Sequence, residues 1–137
     1  MSKDRLFLDT AFIQAILNRH DQYHSQAKKL LPQVRKAQEV WLTEAILMEV
    51  GNALSAFNRQ QVANFIHQCY QTDNIQIVSI STTLFESGLS LYESRLDKTW
   101  GLVDCISFVV MRQQGLIDAI TSDRHFVQAG FRALLLN

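Results

Sequence analysis

The sequence has no excess of charge of either sign and no cysteine pair at metal-binding spacing. Thirteen acidic residues balance thirteen basic ones among 137, so the chain lacks the overall positive field of a non-specific nucleic-acid binder. The two cysteines, Cys69 and Cys105, form no CxxC motif and have no histidine at zinc-ligand spacing. This pattern favours reduced thiols buried in the core of a cytosolic protein.

Segments for export or membrane insertion are missing as well. Only three apolar residues separate the charged start, residues 1–5, from Asp9, which excludes a secretory apolar region. No apolar run approaches the roughly 20 residues of a membrane span. We therefore expect a cytoplasmic protein with no membrane contact. A single proline and a composition that is 47% hydrophobic predict one domain over residues 1–137, with one core.

Short apolar runs alternate with helical patterns along the chain. Strands are predicted at residues 5–8, 40–42, 75–80, 117–121 and 133–136. Helices are predicted at residues 10–19, 22–38, 43–57, 59–71, 81–96 and 102–114, with a short helical turn after Asp123. Pro32 predicts a kink or break in the second helix. This alternation predicts an α/β fold with a parallel, doubly wound sheet, in which ligands bind beyond the carboxyl ends of the strands.

Four acidic residues lie at the ends of predicted strands or beside apolar helical stripes, where a functional site is expected: Asp9, Glu49, Asp104 and Asp123. Asp9 and Asp123 follow predicted strands, and Asp104 opens a helix that is apolar nearly all round. Each aspartate could instead serve the helix that follows it, as a cap or as a charge near its N-terminus. Glu49 lies at the rim of an apolar helical stripe, among alanines, and a solvated rim position is its alternative. A parallel sheet would bring all four to one edge.

Carboxylates gathered at one edge repel each other and raise each other's pKa unless a cation joins them. Oxygen ligands favour Mg²⁺, with Mn²⁺ as the alternative, over zinc. We expect Asp9, Asp104 and Asp123 to bind the metal, and Glu49 to be a further ligand or to orient the attacking water. Such a metal lowers the pKa of a bound water and stabilises charge on a phosphate. The set therefore predicts metal-dependent hydrolysis of phosphodiester bonds.

Other polar residues flank these positions. Ser107, one helical turn after Asp104, could hydrogen-bond that carboxylate or a metal-bound water, and is equally well explained as a small residue in a tight interface. Lys98 and Arg124 flank acidic motifs and could contact phosphate, with surface solvation as the alternative. His125 could contact substrate or pack against the fold.

The ordered set of acidic segments resembles the PIN domain family, in particular the VapC-like toxin ribonucleases. The matching segments are residues 6–10, Glu49-Val50, 103–108 and 121–126, and residues 129–131 fit the usual ending. One departure is Val103, at a position that is often Thr or Ser in the family. The hydroxyl side chains that remain near the acidic residues are Thr10, Ser107, Thr121 and Ser122.

The resemblance implies a three-layer α/β/α sandwich around a central, mostly parallel sheet of four to five strands. It also implies a Mg²⁺- or Mn²⁺-dependent endoribonuclease that leaves 5′-phosphate and 3′-hydroxyl ends. Its expected partners are an RNA substrate, the antitoxin of a type II toxin–antitoxin pair and a second copy of the chain. The alternatives are a PIN-type nuclease for RNA processing or DNA/RNA maintenance without an antitoxin, and a catalytically idle protein-binding module.

Charge on the second predicted helix bears on those partners. Lys28, Lys29, Arg35 and Lys36 give it a basic face. In VapC-like proteins the early helices help to form a groove for an antitoxin segment. This face could therefore meet an acidic or RNA partner, and an ordinary solvated face is the alternative.

Overall fold

Five parallel strands form the centre of the computed structural model, which describes residues 2–136. In chain order they are β1 (Arg5–Leu8), β2 (Glu39–Thr43), β3 (Ile75–Val78), β4 (Asp118–Ile120) and β5 (Arg132–Ala133). They lie in the order β3-β2-β1-β4-β5, and all neighbouring strands are parallel. The prediction of a mostly parallel sheet of four to five strands is confirmed.

Helices connect the strands and cover the sheet. They are α1 (Thr10–Leu17), α2 (His24–Lys36), α3 (Glu44–Leu54), α4 (Arg59–Gln71), α5 (Thr82–Ser94), α6 (Leu102–Gln114) and α7 (Arg124–Gln128). From β1 to β3 the chain crosses the sheet in one direction, and it then returns through α5 and α6 to β4. Because such crossovers are right-handed, α1 to α4 cover one face and α5 to α7 the other. This is the expected three-layer α/β/α sandwich.

The core lies on both sides of the central strand β1. Leu6, Phe7 and Leu8 are all buried, as expected for a parallel strand that helices cover on both faces. Phe126 of α7 packs between Phe7 and Phe108, with ring centroids 6.3 Å and 4.9 Å away. The fully buried Phe126 therefore anchors the short helix α7 beside the carboxyl ends of β1 and β4.

Local signals set several helix ends as predicted. The Thr43 hydroxyl accepts the N–H of Ile46 at the start of α3, over 3.3 Å. The Ser81 hydroxyl accepts the N–H of Leu84 at the start of α5, over 3.1 Å. Gly115 ends α6 with φ +68°, a left-handed conformation that suits glycine.

Several predictions about the elements need correction. The break expected near Pro32 is absent, because α2 continues through this residue, and its buried residues Ala27 and Val34 keep it against the core. The predicted last strand, residues 133–136, keeps only its first residue in β5, and Leu134–Leu136 form a 3-10 helix. The N–H of Leu135 donates to the carbonyl of Thr121 over 3.1 Å, which turns the chain over the end of β4.

α2 also begins later than predicted, at His24 instead of residue 22. The Asp21 carboxylate accepts the N–H of Tyr23 over 2.8 Å, and this side-chain turn delays the helix. Between residues 2 and 136, no helix is both long and apolar enough to cross a membrane.

Candidate active site

The carboxyl ends of β1 and β4 bring the first and last of the four acidic residues together. Leu8 of β1 pairs with Ile120 of β4, so the following residues, Asp9 and Thr121, come side by side where the strands end. Asp123 lies two residues further on, before α7. This is the edge of a doubly wound sheet at which ligands bind.

Asp9 is the most buried of these carboxylates, with 5% of its surface exposed. It precedes α1, yet its side chain makes no capping hydrogen bond. Its Oδ2 instead accepts a hydrogen bond from the Thr121 hydroxyl over 2.7 Å. Burial raises the pKa of Asp9 from 3.8 to about 7, against the hydrogen bonds from Thr121 and the Thr10 backbone, and the charges of Asp104 and Asp123 raise the pKa further. A nearby cation would strongly favour the ionised form.

Thr121 connects two of the acidic positions. Its side chain is fully buried. The hydroxyl donates to Asp9 and also accepts the backbone N–H of Asp123 over 3.0 Å. One hydroxyl therefore fixes the Asp9 carboxylate and the start of the turn that carries Asp123.

Thr10 brings Glu49 to the site. The Thr10 hydroxyl donates to Oε1 of Glu49 over 2.7 Å, and Thr10 directly follows Asp9 in the chain. Glu49 itself is exposed on α3, beside the buried Val50. The rim position inferred from the sequence is therefore the position observed, and the carboxylate is open to solvent and bonded to the residue that follows Asp9.

Asp104 and Asp123 share a histidine. Nδ1 of His125 lies 3.0 Å from Oδ2 of Asp104 and 3.4 Å from Oδ1 of Asp123. Both carboxylates also serve helices, since Asp104 accepts the N–H of Gly101 over 3.1 Å and Asp123 accepts the N–H of His125 over 2.9 Å. Burial raises the pKa of Asp104, the hydrogen bonds from His125 and Gly101 lower it, and the charge of Asp123 raises it.

The donor atoms at this edge suit a divalent cation. Asp104, Asp123 and His125 each offer a ligand atom, and these atoms lie within 4.8 Å of one another. Asp9 adds a buried carboxylate whose ionisation the charges of Asp104 and Asp123 oppose. Carboxylate oxygens and imidazole nitrogens are common metal ligands in proteins. The residues present therefore fit the divalent metal that the sequence predicts.

Three other residues from the sequence analysis lie nearby without joining this cluster. Ser107 is fully buried, and within residues 2–136 its Oγ has no hydrogen-bond partner, Asp104 included. Nζ of Lys98 lies 3.9 Å from Oδ2 of Asp97. Arg124 is exposed at the start of α7, directly after Asp123. Arg124 is therefore beside the acidic edge and open to solvent, whereas Lys98 is partly exposed and pairs with Asp97 in the loop before α6.

The roles of Thr121 and His125 were not assigned from the sequence. Thr121 is one of four candidate hydroxyls in the sequence, and His125 could equally contact substrate or pack against the fold. The available signal was the spacing Thr121-Ser122-Asp123-Arg124-His125. In a turn that begins at a strand end, residues two apart can hydrogen-bond through side chain and backbone.

Comparisons with known proteins agree with this geometry. The family model of the PIN domain matches residues 6–132. The chain is 26% identical over 126 residues to the 23S rRNA-specific endonuclease VapC20 from two strains of Mycobacterium tuberculosis, a match that covers 92% of this chain and 95% of that protein.

Comparison with solved structures also finds similar folds. The crystal structure of Mycobacterium tuberculosis VapC20, described as a sarcin–ricin loop cleaving toxin, matches with a TM-score of 0.83 and 25% identity, covering 93% of this chain and 96% of that one. FitAcB from Neisseria gonorrhoeae matches with a TM-score of 0.61 and 15% identity, covering 93% of this chain and 94% of that one. The second likeness concerns the fold alone.

Proposed function

Since the chain belongs to the PIN domain family, we propose that it is a metal-dependent endoribonuclease that acts as the toxin of a type II toxin–antitoxin pair. One observation carries the chemistry: the buried Asp9, with its pKa raised to about 7, stands at the same sheet edge as Asp104 and Asp123. The chain is similar over nearly its whole length to a 23S rRNA-specific endonuclease, and this similarity supports RNA as the substrate.

Asp9, Asp104 and Asp123 would hold the cation, with Mg²⁺ as the first candidate and Mn²⁺ as the alternative. Glu49 would be a further ligand or would orient the attacking water. The bound cation supplies positive charge beside the scissile phosphate and lowers the pKa of a water molecule. No side-chain nucleophile is required, and the family resemblance implies products with 5′-phosphate and 3′-hydroxyl ends.

The chain's own residues hold this arrangement in place. Thr121 fixes Asp9 through a 2.7 Å hydrogen bond, and Thr10 holds Glu49 through another of 2.7 Å. Both donors are short hydroxyl side chains at the ends of regular elements, so each carboxylate is oriented before substrate arrives. Glu49 faces solvent, from which the RNA must approach.

The positive charges beside the acidic edge would position the RNA. Lys98 lies in the loop before α6, and Arg124 follows Asp123 directly. Phosphate contacts of this kind position a nucleic acid and carry no sequence information. VapC20 acts on 23S rRNA, so ribosomal RNA in the cytoplasm is the first substrate to test.

An apolar groove supports the antitoxin as partner. It has a volume of about 570 Å³ and lies between α1, α2 and α4, where Phe12, Leu31 and Phe65 line it. Arg35 also lines it, and α2 carries three further lysines. A segment with apolar anchors and acidic side chains would fit such a groove.

A second copy of the chain is the remaining proposed partner. Phe85 and Tyr92 of α5 are 42% and 47% exposed, and Leu96 just beyond α5 is 92% exposed. Exposed apolar side chains grouped on one element often mark an interface. We therefore propose a homodimer, which size-exclusion chromatography with light scattering tests directly.

Cleavage of total cellular RNA, with the cut sites mapped, tests the function. We expect Mg²⁺- or Mn²⁺-dependent cuts with 5′-phosphate ends that a chelator abolishes. The Asp9→Asn variant should make none, and Asp97→Asn, which changes an exposed carboxylate paired with Arg95, should cut as the wild type does. Cleavage that persists in chelator would contradict the mechanism, and no cleavage under any condition would favour the idle protein-binding module.

A further inference from the structure

His125 stands between two carboxylates, at distances that suit a shared metal as well as hydrogen bonds. Its Nδ1 lies 3.0 Å from Oδ2 of Asp104 and 3.4 Å from Oδ1 of Asp123. Ligand atoms about 2.1 Å from an octahedral metal are about 3.0 Å apart at right angles, and tetrahedral angles widen this to about 3.4 Å. These two distances are compatible with a cation shared by the three atoms, which all lie within 4.8 Å of one another.

The second ring nitrogen is held as it is in known metal-binding histidines. Nε2 of His125 lies 3.3 Å from the Thr99 hydroxyl. Histidine ligands usually donate their other N–H to an oxygen, which fixes the ring. A threonine hydroxyl can either donate or accept, so the ring can carry its hydrogen on Nε2 when a cation takes the place of the Nδ1 hydrogen that bonds Asp104. The backbone N–H of His125 also donates to Asp123 over 2.9 Å, which keeps the ring beside the site.

We propose that Nδ1 of His125 is a further metal ligand beside the aspartates of the proposed site, and that this nitrogen makes the site bind Mn²⁺, its alternative ion, more tightly than Mg²⁺. This inference rests on the proposed function in one respect, the assignment of Asp104 and Asp123 as metal ligands. Mg²⁺ prefers oxygen ligands and gives up its waters reluctantly, whereas imidazole binds first-row transition metals well. A site made only of carboxylates would discriminate less between the two ions.

The competing explanation is that His125 only donates a hydrogen bond that orients Asp104. His125→Asn separates the two, because an asparagine amide N–H can take the place of Nδ1–H but offers no ring lone pair. His67→Asn is the matched control, since His67 is exposed on α4.

Calorimetric titration of the full chain with Mn²⁺ and with Mg²⁺ measures the preference. We expect the wild type to bind Mn²⁺ at least about tenfold more tightly than Mg²⁺. His125→Asn should weaken Mn²⁺ binding by about tenfold or more and Mg²⁺ binding by less than about threefold, in line with the cost of removing a ligand or its support. His67→Asn should change neither affinity.

A spectroscopic readout on the wild type makes the test independent of how the variant folds. Electron spin-echo modulation of bound Mn²⁺ should show a histidine nitrogen coupling that changes when histidine is labelled with ¹⁵N. Mn²⁺ bound without this coupling, or equal weakening of both ions in His125→Asn, would overturn the inference and leave the proposed nuclease intact. If neither ion binds the wild type, the inference and the metal dependence of the nuclease both fail.

Discussion

The hydroxyl of Thr121 donates a 2.7 Å hydrogen bond to Oδ2 of Asp9, across 112 residues of sequence. The bond joins the ends of two neighbouring parallel strands, and both side chains are buried. A buried carboxylate that accepts one hydroxyl and one backbone hydrogen bond remains costly to ionise. The sheet edge is therefore organised around a charge that the fold itself does not neutralise, and this predicts how the protein responds to mutation, pH and metal.

Asp9→Asn should remove cleavage and stabilise the metal-free protein at neutral pH. Because the pKa of Asp9 is raised from 3.8 to about 7, its contribution to the free energy of unfolding is full below the unfolded pKa and is lost as the pH rises through the folded pKa. Between about pH 5 and pH 8 the loss amounts to roughly 2–3 kcal/mol.

Urea unfolding in chelator, at several pH values, measures this slope. The wild type should lose more stability than Asp9→Asn as the pH rises from 5 to 8. A variant that unfolds at lower urea than the wild type at pH 8 would show that the Asp9 carboxylate is structural.

Divalent metal should stabilise the wild type most where Asp9 is ionised, above about pH 7. An ion present at about 100 times its dissociation constant adds about 2.7 kcal/mol to the free energy of unfolding. Melting curves with Mn²⁺ and with chelator should separate for the wild type and for Asp97→Asn, and should coincide for Asp104→Asn. Equal stabilisation of Asp104→Asn and the wild type would place the metal elsewhere.

Thr121→Val should lower both stability and metal affinity. It leaves the Asp9 carboxylate and the Asp123 N–H without their buried partner, which costs about 1–3 kcal/mol. The hydrogen bond from Thr121 lowers the pKa of Asp9, so its loss raises that pKa, and at pH 7 the metal must displace a proton more often. Thr121→Ser keeps the hydroxyl, so its stability and its metal affinity should both be close to those of the wild type. If Val and Ser behave alike in metal titrations, the hydroxyl has no such role.

Thr10→Val should separate activity from stability. Its bond to Glu49 is exposed, so the free energy of unfolding should change by less than about 1 kcal/mol. The Glu49 side chain loses its only hydrogen bond observed among residues 2–136, and kcat should fall while KM stays close to that of the wild type. Thr10→Ser should restore kcat. Unchanged kcat in Thr10→Val would mean that Glu49 needs no positioning.

Ser107→Ala should leave cleavage unchanged and make the protein equally or slightly more stable. The Ser107 hydroxyl is buried without a partner in the part of the chain that the structure describes, so removing it avoids a desolvation cost of about 1–3 kcal/mol in part or in full. Chemical unfolding measures the change in stability, and a cleavage assay measures the change in activity. Loss of cleavage in Ser107→Ala would show that this hydroxyl serves the reaction.

Much of the architecture follows from local patterns in the sequence. The run Leu6-Phe7-Leu8 is apolar on both faces, which suits a central parallel strand, and Thr43 and Gly115 mark helix ends by their own chemistry. The structure of the C-terminal segment does not follow from its sequence, because Leu134–Leu136 has the composition of a strand. In the folded protein this segment is a 3-10 helix, in which the N–H of Leu135 donates to the carbonyl of Thr121.

The sequence predicts which residues form the site, but it does not predict the hydrogen bonds that join them. Position after a strand predicts that Asp9 and Asp123 share an edge, whereas the Asp9–Thr121 bond depends on the register of β1 against β4. His125 illustrates the same limit. Spacing places it near Asp123, but only the packing of Phe126 and the approach of α6 bring its ring to Asp104.

The most direct test of the central claim is the cleavage rate of an RNA oligonucleotide carrying one mapped cut site, with and without a 2′-deoxy substitution at that site. If the carboxylate edge uses a metal and water, both substrates are cut in Mg²⁺ or Mn²⁺, both leave 5′-phosphate ends, and chelator stops both reactions. Cleavage that the deoxy substitution abolishes, or that continues in chelator, would contradict the claim.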